Sequence, residues 1–230
     1  MTDSFESPTS RRGFVERVGQ LSVAAALGAA PVPELPMVTA PGARAGEWDT
    51  SWEARVKAAD DRAVFDFPGA PNAIMFDLAT RFLDNCATIA AQAPRRSLAV
   101  LNIRTAATKM ALDDAMWERF PLAEENTLKD PETQQPARRN PFRAAANAGA
   151  AQPLPNTLDS LYARGAIILA CDFSLGHLAT RLAAKVGRDQ KDVHAELLRG
   201  LVPGAYAVPS GIYALARAQN VGCAFVPVPG

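Results

Sequence analysis

Short apolar runs of strand length recur along this chain, all but the last followed by a stretch with helical spacing, and that alternation constrains the fold more than any other feature. The runs are residues 63–67, 97–103, 166–170, 204–208 and 222–226. Continuous apolar strands read as buried on both faces, and strands alternating with helical periods imply a parallel sheet covered on both sides. The expected class is a three-layer α/β/α domain with a mostly parallel sheet of about five strands. No internal repeat is evident beyond the alternation itself.

The intervening segments carry the helical period. Between 72 and 91, Ile74, Phe76, Leu78, Phe82, Leu83, Cys86 and Ile89 recur at three and four residues, which predicts one buried stripe with Cys86 in it as a structural thiol. Residues 105–120 read as a further helix with Asp113 and Asp114 exposed and Met110, Trp117 and Phe120 as anchors. Residues 46–61 form a charged lead-in whose Trp48 and Trp52 are expected to pack onto the domain. A short capped helix is predicted from Asn156 to Tyr162, with others over 173–185 and 191–198 and a last one from Pro209-Ser210-Gly211 to about Asn220. Between 121 and 155 the chain carries six prolines and few large apolar residues. A connection that long suggests a lid, a binding loop or an oligomer arm, with an inert insertion as the bland alternative.

The candidate chemistry gathers where strands end. Gly165 suits a left-handed helix cap, the run 166–170 follows, and Cys171 stands where that strand yields to a helix. Ligands of open parallel sheets bind outside the carboxyl ends of strands, and a helix N-terminus favours a thiolate beside it. Asp66, Asn102, Arg104 and Ser210 fall on the same predicted rim. Arg104 suits an anion, Asp66 and Asn102 suit orienting a ligand, and Ser210 or its neighbouring amides suit an oxyanion. The structural alternatives are capping by Asp66 and Ser210 and neutralisation of an aspartate by Arg104. Asn140 joins the list from Arg138-Arg139-Asn140-Pro141-Phe142, where a cationic fork, an amide and an aromatic stand together. His177, six residues past Cys171, is expected to turn away from the strand end.

Cys86, Cys171 and Cys223 include no Cys-x-x-Cys pair, and His177 and His194 are the only histidines, so a zinc or haem site lacks its spacing signature. One disulfide among the three is open on number alone. No cofactor is named by any motif. Lys plus Arg and Asp plus Glu number 24 each, with no clustered basic stripe, which argues against nucleic acid as a partner.

Ser10-Arg11-Arg12-Gly13-Phe14 resembles the twin-arginine export motif, and 21–30 supplies the short apolar core expected behind it, too short to span a bilayer. Residues 1–45 are accordingly expected to be a signal and cleavage region recognised through Arg11, Arg12 and Phe14 by the export machinery. Cleavage after Ala45 would leave residues 46–230 as a single periplasmic domain. The order Ala63-Val64-Phe65-Asp66, Asp114-Ala115-Met116-Trp117, Arg139-Asn140-Pro141-Phe142, 165–171, Leu201-Val202-Pro203-Gly204 with Val208-Pro209-Ser210-Gly211, and Ala218-Gln219-Asn220-Val221-Gly222-Cys223 resembles a group of twin-arginine-exported bacterial proteins of unassigned role with a DsrE/DsrF-like domain. In sulfur-transferring members of the wider DsrE family a cysteine after the third strand carries sulfur as a persulfide. The resemblance implies that role for Cys171, with a small sulfur compound or anion as ligand. Those members follow the cysteine with glycine, whereas this chain has Asp172, and a carboxylate beside sulfur works against a thiolate. An exposed sheet edge and the 121–155 segment imply a homo-oligomer; the alternative function is a non-catalytic ligand-binding or assembly module.

Overall fold

A computed structural model describes residues 48–91 and 95–229. Arg11, Arg12, Phe14 and the expected cleavage after Ala45 lie outside the described residues. The strands are β1 (Asp61–Phe67), β2 (Ser97–Ile103), β3 (Ile167–Cys171), β4 (Ala205–Val208) and β5 (Ala224–Pro227). The helices in chain order are α1 (Trp52–Lys57), α2 (Ile74–Ala90), α3 (Asp114–Arg119), α4 (Ala144–Asn147), α5 (Leu158–Ala163), α6 (Asp172–Val186), α7 (Gln190–Arg199) and α8 (Gly211–Asn220). All five strands join one sheet in the order β4-β3-β2-β1-β5, every pairing parallel.

Strand alternation divides the apolar residues between two layers. Phe65, Phe67, Leu101, Ile103, Ile168 and Ala170 pack with α2, α5 and a 3₁₀ segment over Thr105–Ala111. Val64, Val100, Ile167, Leu169 and Val208 pack on the opposite face against Trp52 and Val56 of α1 and Ala214 and Ala218 of α8. A third cluster joins α6 and α7 to Leu112, Trp117 and Leu122. This is the three-layer α/β/α arrangement.

Handedness then fixes where the layers diverge. From β1 to β4 the chain adds strands in one direction, and right-handed crossovers keep the connecting helices on the α2 face. Reaching β5, on the far side of β1, reverses the direction, so α8 must cross the other face. β3 and β4 are therefore followed by helices on opposite sides, which opens a crevice at their carboxyl ends.

Several expectations are corrected. The helix over 105–120 is broken: Leu112 and Asp113 are extended, Leu112 bridges Leu201, and Asp113 caps α3 by accepting the Met116 N–H at 3.0 Å. An aspartate free to cap starts a helix more readily than it continues one. Asp114, expected to be exposed, accepts the Asn140 N–H at 2.8 Å and is half-buried. Cys86 is half-exposed rather than buried, because α2 buries Met75, Phe76, Ala79 and Leu83 and its last two turns leave the packed face, with Ile89 in solvent. All three cysteines are free thiols. Burial pushes the Cys223 thiol up to about 11, with Arg62 opposing it.

The 121–155 segment is built into the domain. Leu122, Ala123 and Ala137 enter the α6–α7 cluster, and Phe142 meets Phe76 edge-on at 6.2 Å. Lys109, fully buried, donates to the Leu122 carbonyl at 3.1 Å and to Asn126 Oδ1 at 2.8 Å. Burial pushes its ammonium below the usual lysine range, and Glu125 counteracts that. Arg139 closes the segment's own turn on Asp130, with Nε to Oδ2 at 2.5 Å, and on Glu132 at 2.6 Å.

The Arg139 hydrogen bonds hold the Asp130 carboxyl down at about 2, from 3.8, against burial and with help from the Thr133 and Glu132 N–H groups. A folded-state value below the unfolded one means stabilisation that is fully present above about 3.8 and lost as pH falls through about 2. Asp130→Asn should cost about 1–2 kcal/mol in urea unfolding at pH 6. The difference between parent and variant should shrink steadily below pH about 4, and a pH-independent difference would refute the assignment.

Candidate functional site

Cys171 ends β3 and is the N-cap of α6. Its Sγ accepts three hydrogen bonds: from Ser174 N–H at 3.4 Å, Ser174 Oγ at 3.0 Å and Gly211 N–H at 3.1 Å. Ser174 is three residues into α6, where a capping atom finds its partner; Gly211 opens α8. Two helix N-termini thus meet on one sulfur at the crevice between β3 and β4, where Cys171 lies opposite Val208.

The neighbouring strand ends supply the rest. Parallel register sets Asp66 opposite Asn102, and Asn102 Nδ2 donates to Asp66 Oδ1 at 2.9 Å. Arg104 clamps the same carboxylate through Nε and Nη2, each at 2.8 Å. Hydrogen bonds to Asp66 raise the Arg104 guanidinium above its ordinary range against burial, with the charges of Asp66 and Cys171 adding to the effect. Asn102 Nδ2 also reaches the Gly211 carbonyl at 3.3 Å, while its Oδ1, fully buried, has no hydrogen-bond partner among the described residues.

The backbone closes the ring. Arg104 is extended and Thr105 adopts φ +52°, a left-handed geometry that is strained for a β-branched residue. That reversal sends the Arg104 side chain back to Asp66 while the Thr105 N–H donates to Ser174 Oγ at 2.8 Å. Gly211 leaves no room for a side chain: an added Cβ would lie 2.6 Å from Arg104 Cδ. Asp66, Asn102, Gly211, Cys171, Ser174, Thr105 and Arg104 therefore form one closed circuit.

Of the residues singled out in the sequence, Asp66, Asn102, Arg104 and Cys171 meet. Ser210 lies beside them but spends its hydroxyl capping α8, accepting the Tyr213 N–H at 3.1 Å. Asn140 is not brought to the rim: its Nδ2 donates to the Met110 and Leu112 carbonyls at 2.9 and 2.7 Å, and its Oδ1 accepts the Phe142 N–H. A buried amide that satisfies bent backbone is the structural role of that loop motif. His177 is exposed and meets Phe173 edge-to-face, with ring centroids 4.6 Å apart, rather than bonding to the thiol. The Asp172 carboxylate turns to His194 Nε2 at 2.7 Å, which draws its charge toward α7. Ser174, Thr105 and Gly211 were not singled out; the Cys-x-x-Ser spacing at a strand–helix junction is a capping signature that points to Ser174.

Cys171 is 3% exposed, and Phe173, Ile212 and Tyr213 stand in solvent within two residues of the groups bonded to sulfur. Among the described residues no group of three or more His, Cys, Asp or Glu is placed to hold a metal ion, and no helix is long and apolar enough to cross a membrane. The chain matches no family model, no curated protein and no solved structure.

Asp66→Ala would strand a guanidinium that is 21% exposed and remove the anchor of Asn102, so a loss of about 2–4 kcal/mol is expected in urea unfolding. Asp66→Asn, which keeps a carbonyl acceptor for Asn102, should lose less, and equal losses in the two variants would assign the whole effect to the lost charge opposite Arg104.

Proposed function

We propose that this chain is an exported DsrE-like protein that accepts and passes on a sulfur atom at Cys171. The observation that carries this reading is the convergence of three donors on one cysteine sulfur at the switch point of the sheet, beside Arg104. Donors aimed at sulfur serve a state in which it carries negative charge, which is the form of the attacking thiolate.

In the proposed step the Cys171 sulfur attacks the outer sulfur of a persulfide donor, R–S–S⁻. The new S–S bond forms as the old one breaks, its electron pair leaves on R–S, and the thiol proton of Cys171 passes to that leaving thiolate. The products are the Cys171 persulfide and R–SH, with no net oxidation. A thiolate of an acceptor takes the outer sulfur by the reverse chemistry. Ser174 Oγ and the Gly211 N–H hold the inner sulfur, and Arg104 supplies positive charge nearby.

The 3% exposure of Cys171 favours a second reading, a non-catalytic ligand-binding or assembly module in which the thiol serves as an N-cap. Incubating purified protein with a persulfide donor and reading intact mass separates the two. One added sulfur (about 32 Da), located to Cys171 by peptide mapping and absent from Cys171→Ser, supports sulfur transfer. Labelling confined to half-exposed Cys86, or none, supports the second reading.

Export by the twin-arginine route into the periplasm is part of the same proposal and rests on Ser10 to Phe14. Arg11→Lys with Arg12→Lys should hold full-length precursor in the cytoplasm on cell fractionation, and unchanged periplasmic recovery would remove the export claim. Homo-oligomer formation is also proposed, supported by the outer edges of β4 and β5, which have no strand partner among the described residues.

A further inference from the structure

Away from the thiol, α3 and α7 border an open, solvent-facing cavity of about 420 Å³ lined by Asp113, Met116, Arg119, Arg188, Glu196, Arg199 and Gly200. Its charge is organised around Glu196, which is 6% exposed. Arg119, from α3, donates through Nη1 to Glu196 Oε1, and Arg188, from the turn before α7, donates through Nη1 to Oε2 at 2.8 Å. Burial alone would raise that carboxyl, and the hydrogen bonds from Arg188 and Arg119 overcome it, leaving it below the usual carboxylate range.

One buried carboxylate therefore holds two guanidinium groups from separate segments in fixed positions. A guanidinium has five donors, and each of these spends one on Glu196. Arg199, at the end of α7, makes no ion pair among the described residues. The second carboxylate in the lining, Asp113, is engaged by the Met116 N–H. Three guanidinium groups thus face two carboxylates, of which Asp113 is engaged through Oδ1 and Glu196 through both oxygens, with most of the guanidinium donors unspent.

We infer that this cavity binds a small polyanion, bearing phosphate or carboxylate groups, through Arg119, Arg188 and Arg199. The chemistry matches: planar forks pair with two oxygens at once, and clamping by Glu196 lowers the ordering cost when the anion arrives. The volume exceeds what a single inorganic ion fills, so a ligand with at least two oxyanion groups suits it better than a lone phosphate. Nothing in this site depends on Cys171.

The test is calorimetric titration of the full chain, in low salt, with inorganic pyrophosphate and separately with citrate. Saturable 1:1 binding of either ligand is expected, and which one binds identifies the oxyanion source. Arg199→Ala should weaken it roughly tenfold or more while leaving the thermal midpoint unchanged, since that exposed side chain has no hydrogen-bond or ion-pair partner among the described residues. Arg96→Ala, an exposed arginine on another surface, should leave affinity unaltered. Absence of saturable heat with both ligands, or parental affinity in Arg199→Ala, would overturn the inference.

Discussion

Asp66 closes β1 as a carboxylate with 5% exposure, and the carboxyl rim of the sheet is arranged to satisfy it. A charge at that depth costs several kcal/mol unless it is paired and hydrogen-bonded, so the groups around it are constrained to come close. Parallel pairing of β1 with β2 brings Asn102 alongside, and Arg104 follows one residue beyond the strand. Two side chains two residues apart point to the same side of a strand, so both reach one carboxylate. The left-handed turn at Thr105 lets the guanidinium return to Asp66 while the chain leaves toward the other face. The strain at Thr105 is thus coupled to the ion pair that it makes possible.

The thiol inherits its surroundings from this arrangement. Asn102 answers Asp66 with one amide hydrogen and the Gly211 carbonyl with the other, which ties the start of α8 to the end of β2. With Gly211 held there, its N–H donates to Cys171 Sγ at the end of β3. A residue with a side chain would push against Arg104, so the approach requires glycine. The reversal of crossover direction between β3 and β4 opens the crevice, and the Asp66 network narrows it onto a single sulfur.

Much of this was legible in the chain because period and composition report on burial. Apolar runs located the strands to within two residues, and the position of Cys171 between a run and a helical period identified the junction. Asp66, Asn102 and Arg104 were legible as strand-end polar residues, although nothing local says that they bind one another, since their pairing depends on register. What escaped were features decided by tertiary context. Cys86 follows the helical period but sits where α2 has outrun its partners. Asp113 interrupts an apparently continuous helix by capping a new one. Asn140 looked like a ligand residue because buried loop amides and binding amides use the same chemistry. The arginine cavity draws on residues 119, 188 and 199, far apart in sequence, and carries no periodic signal.

The enclosure of Cys171 is unequal on its two sides, and that asymmetry bears on how a reagent would reach it. Ser174 belongs to α6, whose Leu175, Leu178, Ala179 and Leu182 are all buried against α7 and the Trp117 region. The Gly211 N–H belongs to the first turn of α8, which follows an edge strand of four residues and carries Ile212 and Tyr213 at 64% and 43% exposure. Segments with few buried apolar contacts open at lower free energy than those anchored in a core. The Gly211 donor thus comes from the helix start with the more exposed neighbours, although Ala214 and Ala218 anchor the same helix in the core. Phe173, beside Ser174, and Ile212 and Tyr213, beside Gly211, stand in solvent, so apolar side chains flank both helix starts that donate to the sulfur.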